Sequence, residues 1–163
     1  MLEKFQGKRV FITGSTGFKG SWLSYILKLN GAEVMGYALP SPVESRSHYS
    51  DLNLKDKIDQ VEGDITNRNK LISIVKDFKP DYVFHLAAQA LVRPSYEDPF
   101  HTFETNVMGS VNLLDAVLAA GSVRSLVFIT SDKCYENNEW IWGYRENDKL
   151  GGRDPYSASK AAA

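Results

Sequence analysis

The sequence predicts an α/β fold built on a doubly wound parallel sheet with helices on both faces. Three observations predict it. Apolar runs of strand length alternate with segments of helical periodicity along the chain. Those runs are apolar almost throughout, as strands covered on both faces must be. The first run ends in a glycine-rich turn that leads directly into a helix.

The first strand is expected at Val10–Thr13, and Gly14, Gly17 and Gly20 follow it three residues apart. This is the spacing of a dinucleotide pyrophosphate turn, and it makes the fold Rossmann-type. The first glycine permits the tight turn, the second lets backbone approach phosphate, and the third lets helix pack on strand. The first helix, Phe18–Leu29, would present unpaired N–H groups and a partial positive charge to that anion. Trp22, Leu23, Tyr25, Ile26, Leu27 and Leu29 give it an amphipathic pattern that stops at Asn30-Gly31. Further strands are expected at Val34–Leu39, weakly near Gln60–Glu62, at Asp81–Leu86 and at Ser125–Thr130. Helical periodicity covers Asn67–Phe78 and a long segment from about Pro99 to Ala120, where Phe103, Val107, Val111, Leu114 and Leu118 recur. The segments from Pro40 to about Lys55 and from Ser131 to about Asp154 read as long loops, a class that is usually functional or mobile. At the end of the chain Asp154 reads as an N-cap and Pro155 as the first turn of a helix. That helix runs only to Ala163, so residues 1–163 read as an incomplete nucleotide-binding domain, the front of a longer protein.

Composition narrows the classes. With 43% apolar residues the chain builds a real core, and a net charge of −1 gives no electrostatic basis for binding nucleic acid or a membrane. No apolar run approaches the roughly 18 residues of a membrane span, and no signal peptide precedes the first strand. The single cysteine, Cys134, has no internal partner, so a soluble cytoplasmic protein is expected. His48, His85 and His101 are scattered without metal-ligand spacing, and His85 reads as a hydrogen-bonded core residue.

The candidate chemistry lies in the last third. Tyr156 and Lys160 are four apart and share one helix face. An ammonium beside a phenol stabilises the phenolate and makes tyrosine a usable base near neutral pH. Ser131, Asp132 and Lys133 follow the fifth strand, at the carboxyl end where open α/β sheets bind ligands. The bland reading is a turn plus a surface ion pair. Other residues also admit two readings. Asp64 also reads as a cap of the helix near Asn67. Cys134 is a small buried residue sooner than a nucleophile. Trp140, Trp142 and Tyr144 are loop anchors or a lid, and Arg93 meets a phosphate or a surface carboxylate. A ribose-binding acid belongs at the end of the second strand, but Glu33 stands at its start, leaving Ser41 or Arg46 for that place. The motif alone therefore does not choose between NAD and NADP.

The segments TGSTGFKGSW, GDITN, HLAAQ, TNVMG, TSDKCY and YSASK, in this order, resemble an extended short-chain dehydrogenase/reductase. Within that superfamily the chain is most similar to the CDP-glucose 4,6-dehydratases. Lys133 follows Asp132 where most nucleotide-sugar dehydratases have glutamate, and the Asn138–Asn147 segment looks like that family's loop. The resemblance covers the chain but only about the first half of such an enzyme. It implies NAD, with Gly14, Gly17, Phe18, Lys19 and Gly20 along the pyrophosphate, Asp64 and Ile65 at adenine, and Leu86, Ala87, Ala88 and Gln89 at the ribose. Tyr156 and Lys160 would also contact the cofactor. It further implies that Tyr156 acts as base with Lys160 and Ser131, that Asp132 protonates the departing 6-hydroxyl, and that Lys133 serves the C5 proton. The implied partner is a nucleotide sugar, CDP-glucose, and the full-length protein is expected to be a homo-oligomer. The segment alone is expected to be inactive, because nothing in it positions the sugar. A dehydratase or epimerase of GDP-, dTDP- or UDP-sugars, or a non-catalytic NAD(P)-binding module, are the alternatives.

Overall fold

The computed structural model describes residues 2–41 and 47–163. Five strands, β1 (Arg9–Thr13), β2 (Glu33–Ala38), β3 (Asp59–Glu62), β4 (Tyr82–His85) and β5 (Ser125–Phe128), form one parallel sheet in the order β3-β2-β1-β4-β5. The helices are α1 (Phe18–Leu29), α2 (His48–Asp51), α3 (Arg68–Phe78), α4 (Val92–Glu97), α5 (Pro99–Phe103), α6 (Gly109–Ala120) and α7 (Pro155–Ala162). Chain contacts divide the protein into two compact units. Met1–Ala87 with Asn112–Ile129 holds the sheet, and Ala88–Val111 with Thr130–Ala163 holds α4, α5 and α7.

In the first unit, alternate residues of each strand serve opposite faces. Val10, Ile12 and Val34 pack with Leu27 of α1 and with Phe5, Leu54 and Ile58. Phe11, Tyr37 and Val83 pack with Leu71, Val75 and Phe78 of α3 and with Leu113 and Ala116 of α6. The doubly wound expectation therefore holds. The order reverses at β1, where Thr13 lies opposite Tyr37 of β2 and His85 of β4. Ligand crevices of such sheets form at this switch point. Near-uniform burial holds for β1 and fails for β3 and β5, which flank the sheet and expose part of each face.

Several boundaries and faces differ from expectation. The long helix is three pieces, α5, a π-helical turn at Glu104–Met108, and α6. The loop after β2 contains α2, whose Ser47 cap and Ser50 bond reciprocally, and a 3₁₀ turn at Leu54–Asp56. Such short, polar, locally capped turns carry no hydrophobic period. On α1 the buried residues are Gly20, Ser21, Ser24 and Leu27, whereas Trp22 and Leu29 are 42% and 67% exposed. On α6 the buried residues include Leu113 and Ala116, and the periodic Val111, Leu114 and Leu118 are exposed. Small residues let these helices lie close to their supports, so the packed stripe is less apolar than the outer one. Among the described residues, no helix is long and apolar enough to cross a membrane.

Candidate active site

The nucleotide loop follows from the end of β1. Gly14 has φ +72°, and a Cβ there would lie 2.7 Å from the Ala87 nitrogen, so no side chain fits. Its N–H donates to the Tyr37 carbonyl at 2.8 Å, tying the loop to β2. A Cβ on Gly20 would lie 2.1 Å from the Gly14 carbonyl oxygen; this contact seats α1 on the loop. Gly17 is the N-cap of α1, no side chain caps that end, and the first turn has no acid. Its N–H groups are therefore available to an anion. Phe18 and Lys19 stand exposed on that turn, and the Phe18 ring lies 4.7 Å from that of His48.

The turn after β4 is held by Thr13. Its buried hydroxyl accepts from the N–H groups of Leu86 and Ala87 at 3.1 Å and meets His85 Nδ1 at 2.7 Å. A hydroxyl has one proton and two acceptor sites, so with both sites used the proton goes to Nδ1. His85 is thus the hydrogen-bonded core residue expected.

Asp64 accepts from the Thr66 N–H and hydroxyl, and its carbonyl accepts from the Tyr37 hydroxyl at 2.8 Å. Burial, with Asp64 nearby, pushes that phenol up to about 12. Ile65 is in the core. The cap of α3 is Asn67, which accepts from the Lys70 N–H, so Asp64 does not have that role. Ser41 bonds Ser47 at 3.2 Å, Glu33 is exposed at the start of β2, and Arg46 lies outside the described residues.

The second unit carries the other candidates. Ser131 caps a 3₁₀ turn, Asp132–Cys134; its hydroxyl accepts from the Lys133 N–H and donates to Asp132 Oδ1 at 3.1 Å. Asp132 and Lys133 are exposed and Cys134 is buried. The chain leaves as an arm closed by a bridge between Tyr135 and Leu150, with Tyr135 and Tyr144 stacked 5.0 Å apart. A cavity of about 400 Å³ is lined by Asp132, Lys133, Tyr135, Tyr144, Arg153 and Asp154, among others.

Helix α7 brings Tyr156 and Lys160 to one face, and each free N–H of its first turn is bonded. Pro155 has none, Tyr156 N–H donates to Ser95 Oγ, and Ser157 N–H donates to Asp154 Oδ1. Asn106, from the π-helical turn, donates to Ser159 Oγ at 2.8 Å and to the Gln89 carbonyl, and accepts from the Gln89 N–H. The Gln89 side chain also bonds Thr102 and Leu91, and Ala88 is half-buried beside it. Lys160 is only 8% exposed, and burial pushes its ammonium below the usual lysine value, partly offset by Cys134. Sequence reading missed Ser95, Asn106 and Gly152. The one signal in the sequence was a polar Asn106 within the helical period set by Phe103 and Val107.

A Cβ on Gly152 would lie 2.3 Å from the Ser157 carbonyl carbon and 2.4 Å from the Ala158 nitrogen. Gly152→Ala is therefore expected to displace α7 and destabilise the protein by about 1–3 kcal/mol, read by denaturant unfolding. Burial alone would raise the Asp154 carboxyl, but the Ser157 hydroxyl and N–H, the Lys133 ammonium and the Tyr156 N–H together hold it below the usual value. A depressed carboxyl stabilises the fold above its unfolded value and loses that contribution as pH falls through the folded one. Asp154→Asn, which preserves a cap, should thus lose less stability than the parent between pH 7 and pH 3.

The sheet order and the glycine loop at its switch point agree with the resemblance to an extended short-chain dehydrogenase/reductase. The sequence profile of the GDP-mannose 4,6 dehydratase family matches residues 11–163, and the chain belongs to that family. The chain is 54% identical, over its whole length, to the CDP-glucose 4,6-dehydratase of Salmonella typhimurium, covering 46% of that protein. It is 34% identical to the UDP-glucose 4-epimerase of Mycolicibacterium smegmatis, over 94% of this chain and 48% of the relative. Among solved structures, an epimerase from Methanothermobacter thermautotrophicus superposes with TM-score 0.85 at 28% identity, over 99% of this chain and 46% of that one. The UDP-glucose-4-epimerase of Stenotrophomonas maltophila, with bound NAD, gives TM-score 0.80 at 27% identity, over 94% and 46% of the two chains. The chain spans about half the length of the curated relatives it matches.

Proposed function

We propose that this chain is the nucleotide-binding half of an NAD-dependent dehydratase that converts CDP-glucose to CDP-4-keto-6-deoxyglucose. The observation that carries this reading is the 54% identity, along the whole chain, to a CDP-glucose 4,6-dehydratase. The loop fits the cofactor: at Gly17 an added Cβ would meet only the Gly14 carbonyl oxygen at 3.3 Å, so bare backbone faces outward at an uncapped helix N-terminus. Gly14, Gly17, Phe18, Lys19 and Gly20 would line the pyrophosphate, Asp64 and Ile65 the adenine, and Leu86, Ala87, Ala88 and Gln89 the ribose. NAD is favoured over NADP by the NAD-bound structural neighbour.

When bound, NAD supplies an acceptor that takes hydride from C4 of the sugar and gives it back at C6. Tyr156 removes the 4-hydroxyl proton, with the Lys160 ammonium stabilising the phenolate and Ser131 Oγ holding the sugar oxygen. The 4-keto group acidifies the C5 proton, which Lys133 takes while Asp132 protonates the departing 6-hydroxyl. We place the whole enzyme in the cytoplasm, where the free, buried Cys134 stays reduced. The exposed Leu114 and Leu118 of α6 support homo-oligomerisation. The segment alone lacks the means to position a sugar and should be inactive.

The test offers the full-length enzyme CDP-glucose, GDP-mannose, dTDP-glucose and UDP-glucose in turn and assays the 4-keto product after alkali. Product from CDP-glucose alone supports the reading. Turnover of another sugar nucleotide instead keeps the chemistry and removes the substrate, and silence with all four despite NAD binding favours a binding module.

A further inference from the structure

Asp154 does more than a cap requires. Both of its carboxylate oxygens are engaged by one residue, Oδ1 by the Ser157 N–H at 2.9 Å and Oδ2 by the Ser157 hydroxyl at 2.6 Å. These bonds fix the carboxylate's orientation and leave each oxygen a further lone pair. Serine or asparagine would cap the helix equally well without a charge. Asp154 and Lys133 line the same cavity. Asp132, the other acid there, already accepts from Ser131. A lysine on an exposed turn has four flexible bonds and swings into solvent unless something holds its head.

We propose that Asp154 is a positioning residue for the elimination half of the reaction: its carboxylate, fixed at the cap of α7, draws the Lys133 head into their shared cavity as that lysine takes a proton and stabilises the ammonium formed there. This rests on the dehydratase reading. In that step Lys133 takes the C5 proton, the C5–H electron pair becomes the C5=C6 bond, and the C6–O bond breaks. The hydroxyl leaves as water with the proton of Asp132. The Lys133 ammonium returns a proton to C5 when hydride arrives at C6, and solvent reprotonates Asp132. In its protonated form, the form left after it takes the C5 proton, Lys133 helps to hold the Asp154 carboxyl below its usual value.

A merely structural cap and a counter-charge predict different injuries. Loss of a cap disturbs the helix that carries Tyr156, and so slows C4 oxidation. Loss of a counter-charge spares oxidation and slows elimination. The experiment follows single turnovers of the full-length enzyme with CDP-glucose, reading oxidation as reduced-nicotinamide absorbance and elimination as C5 deuterium uptake from D₂O. In Asp154→Asn, oxidation is expected within about twofold of the parent and elimination about tenfold slower, so reduced nicotinamide accumulates. Combined with Lys133→Ala, the substitution should add nothing. Equal slowing of both steps, unchanged elimination, or multiplying effects of the two substitutions would overturn the proposal. Asp154→Ser serves if the asparagine variant does not fold. A titration independent of substrate keeps the two readings apart. In Lys133→Met the Asp154 carboxyl, followed by carbon NMR, should titrate higher than in the parent, and an unmoved midpoint rejects the pairing. A parent enzyme that never reduces nicotinamide with any nucleotide sugar rejects the dehydratase reading, while the titration still decides the pair.

Discussion

Replacing Tyr156 with phenylalanine in the full-length enzyme is expected to lower turnover by about 1,000-fold while leaving the fold intact, since a positioned general base contributes roughly 100- to 10,000-fold. The bonds that seat α7 come from Ser95, Asp154 and Asn106, and none of them uses the phenol oxygen. The substitution thus removes the proposed proton acceptor and little else. Turnover at saturating CDP-glucose, thermal unfolding and NAD affinity should be measured together. The expected result is a lost rate with unfolding temperature and affinity close to the parent. A variant that keeps a tenth of the parent's turnover would remove Tyr156 from the role of base.

Gly20→Ala carries the largest expected structural effect. Its Cβ would sit 2.1 Å from the Gly14 carbonyl oxygen, 2.8 Å from its carbonyl carbon and 2.9 Å from the Ser15 Cα. All three are backbone atoms of the nucleotide loop, so no side chain can turn aside and the loop itself must move. Overpacking costs about 1–3 kcal/mol and more where backbone must shift, so a loss of about 3 kcal/mol and several degrees of unfolding temperature is expected. NAD affinity should fall by at least tenfold. Gly17→Ala supplies the control, because its Cβ would meet a single atom at 3.3 Å, a contact relieved by a few tenths of an ångström. Equal stability losses in the two variants would contradict this geometry.

What could be read in the sequence follows from what periodicity reports. It reports that a helix or strand exists, and the sheet, α1 and α3 follow from it within a residue or so. It does not report which side of a helix is packed. On α1 the face with Trp22 and Leu29 is the more apolar, yet Ser21 and Ser24 are buried because small residues allow close approach to the sheet. The π-helical turn at Glu104–Met108 breaks no hydrophobic pattern either, and so Asn106, at its centre, stayed hidden. Glycine spacing was informative because it reflects backbone contacts, as Gly14 and Gly20 illustrate. Spacing alone brought Tyr156 and Lys160 to one helix face, but the groups that seat that helix, Ser95 and Gly152, belong to tertiary structure. The Asp132–Lys133 pair acquires its setting only when a distant residue, Asp154, is folded into the same cavity wall.

The proposed internal hydride cycle moves hydrogen from C4 to C6 of one sugar. The direct measurement supplies the full-length enzyme with NAD and CDP-glucose carrying deuterium at C4, and locates the label in the product by NMR. The deuterium is expected in the C6 methyl group of CDP-4-keto-6-deoxyglucose, retained within the same molecule. Deuterium returned to C4 of an inverted sugar, as an epimerase would leave it, or lost to free reduced nicotinamide, would contradict it.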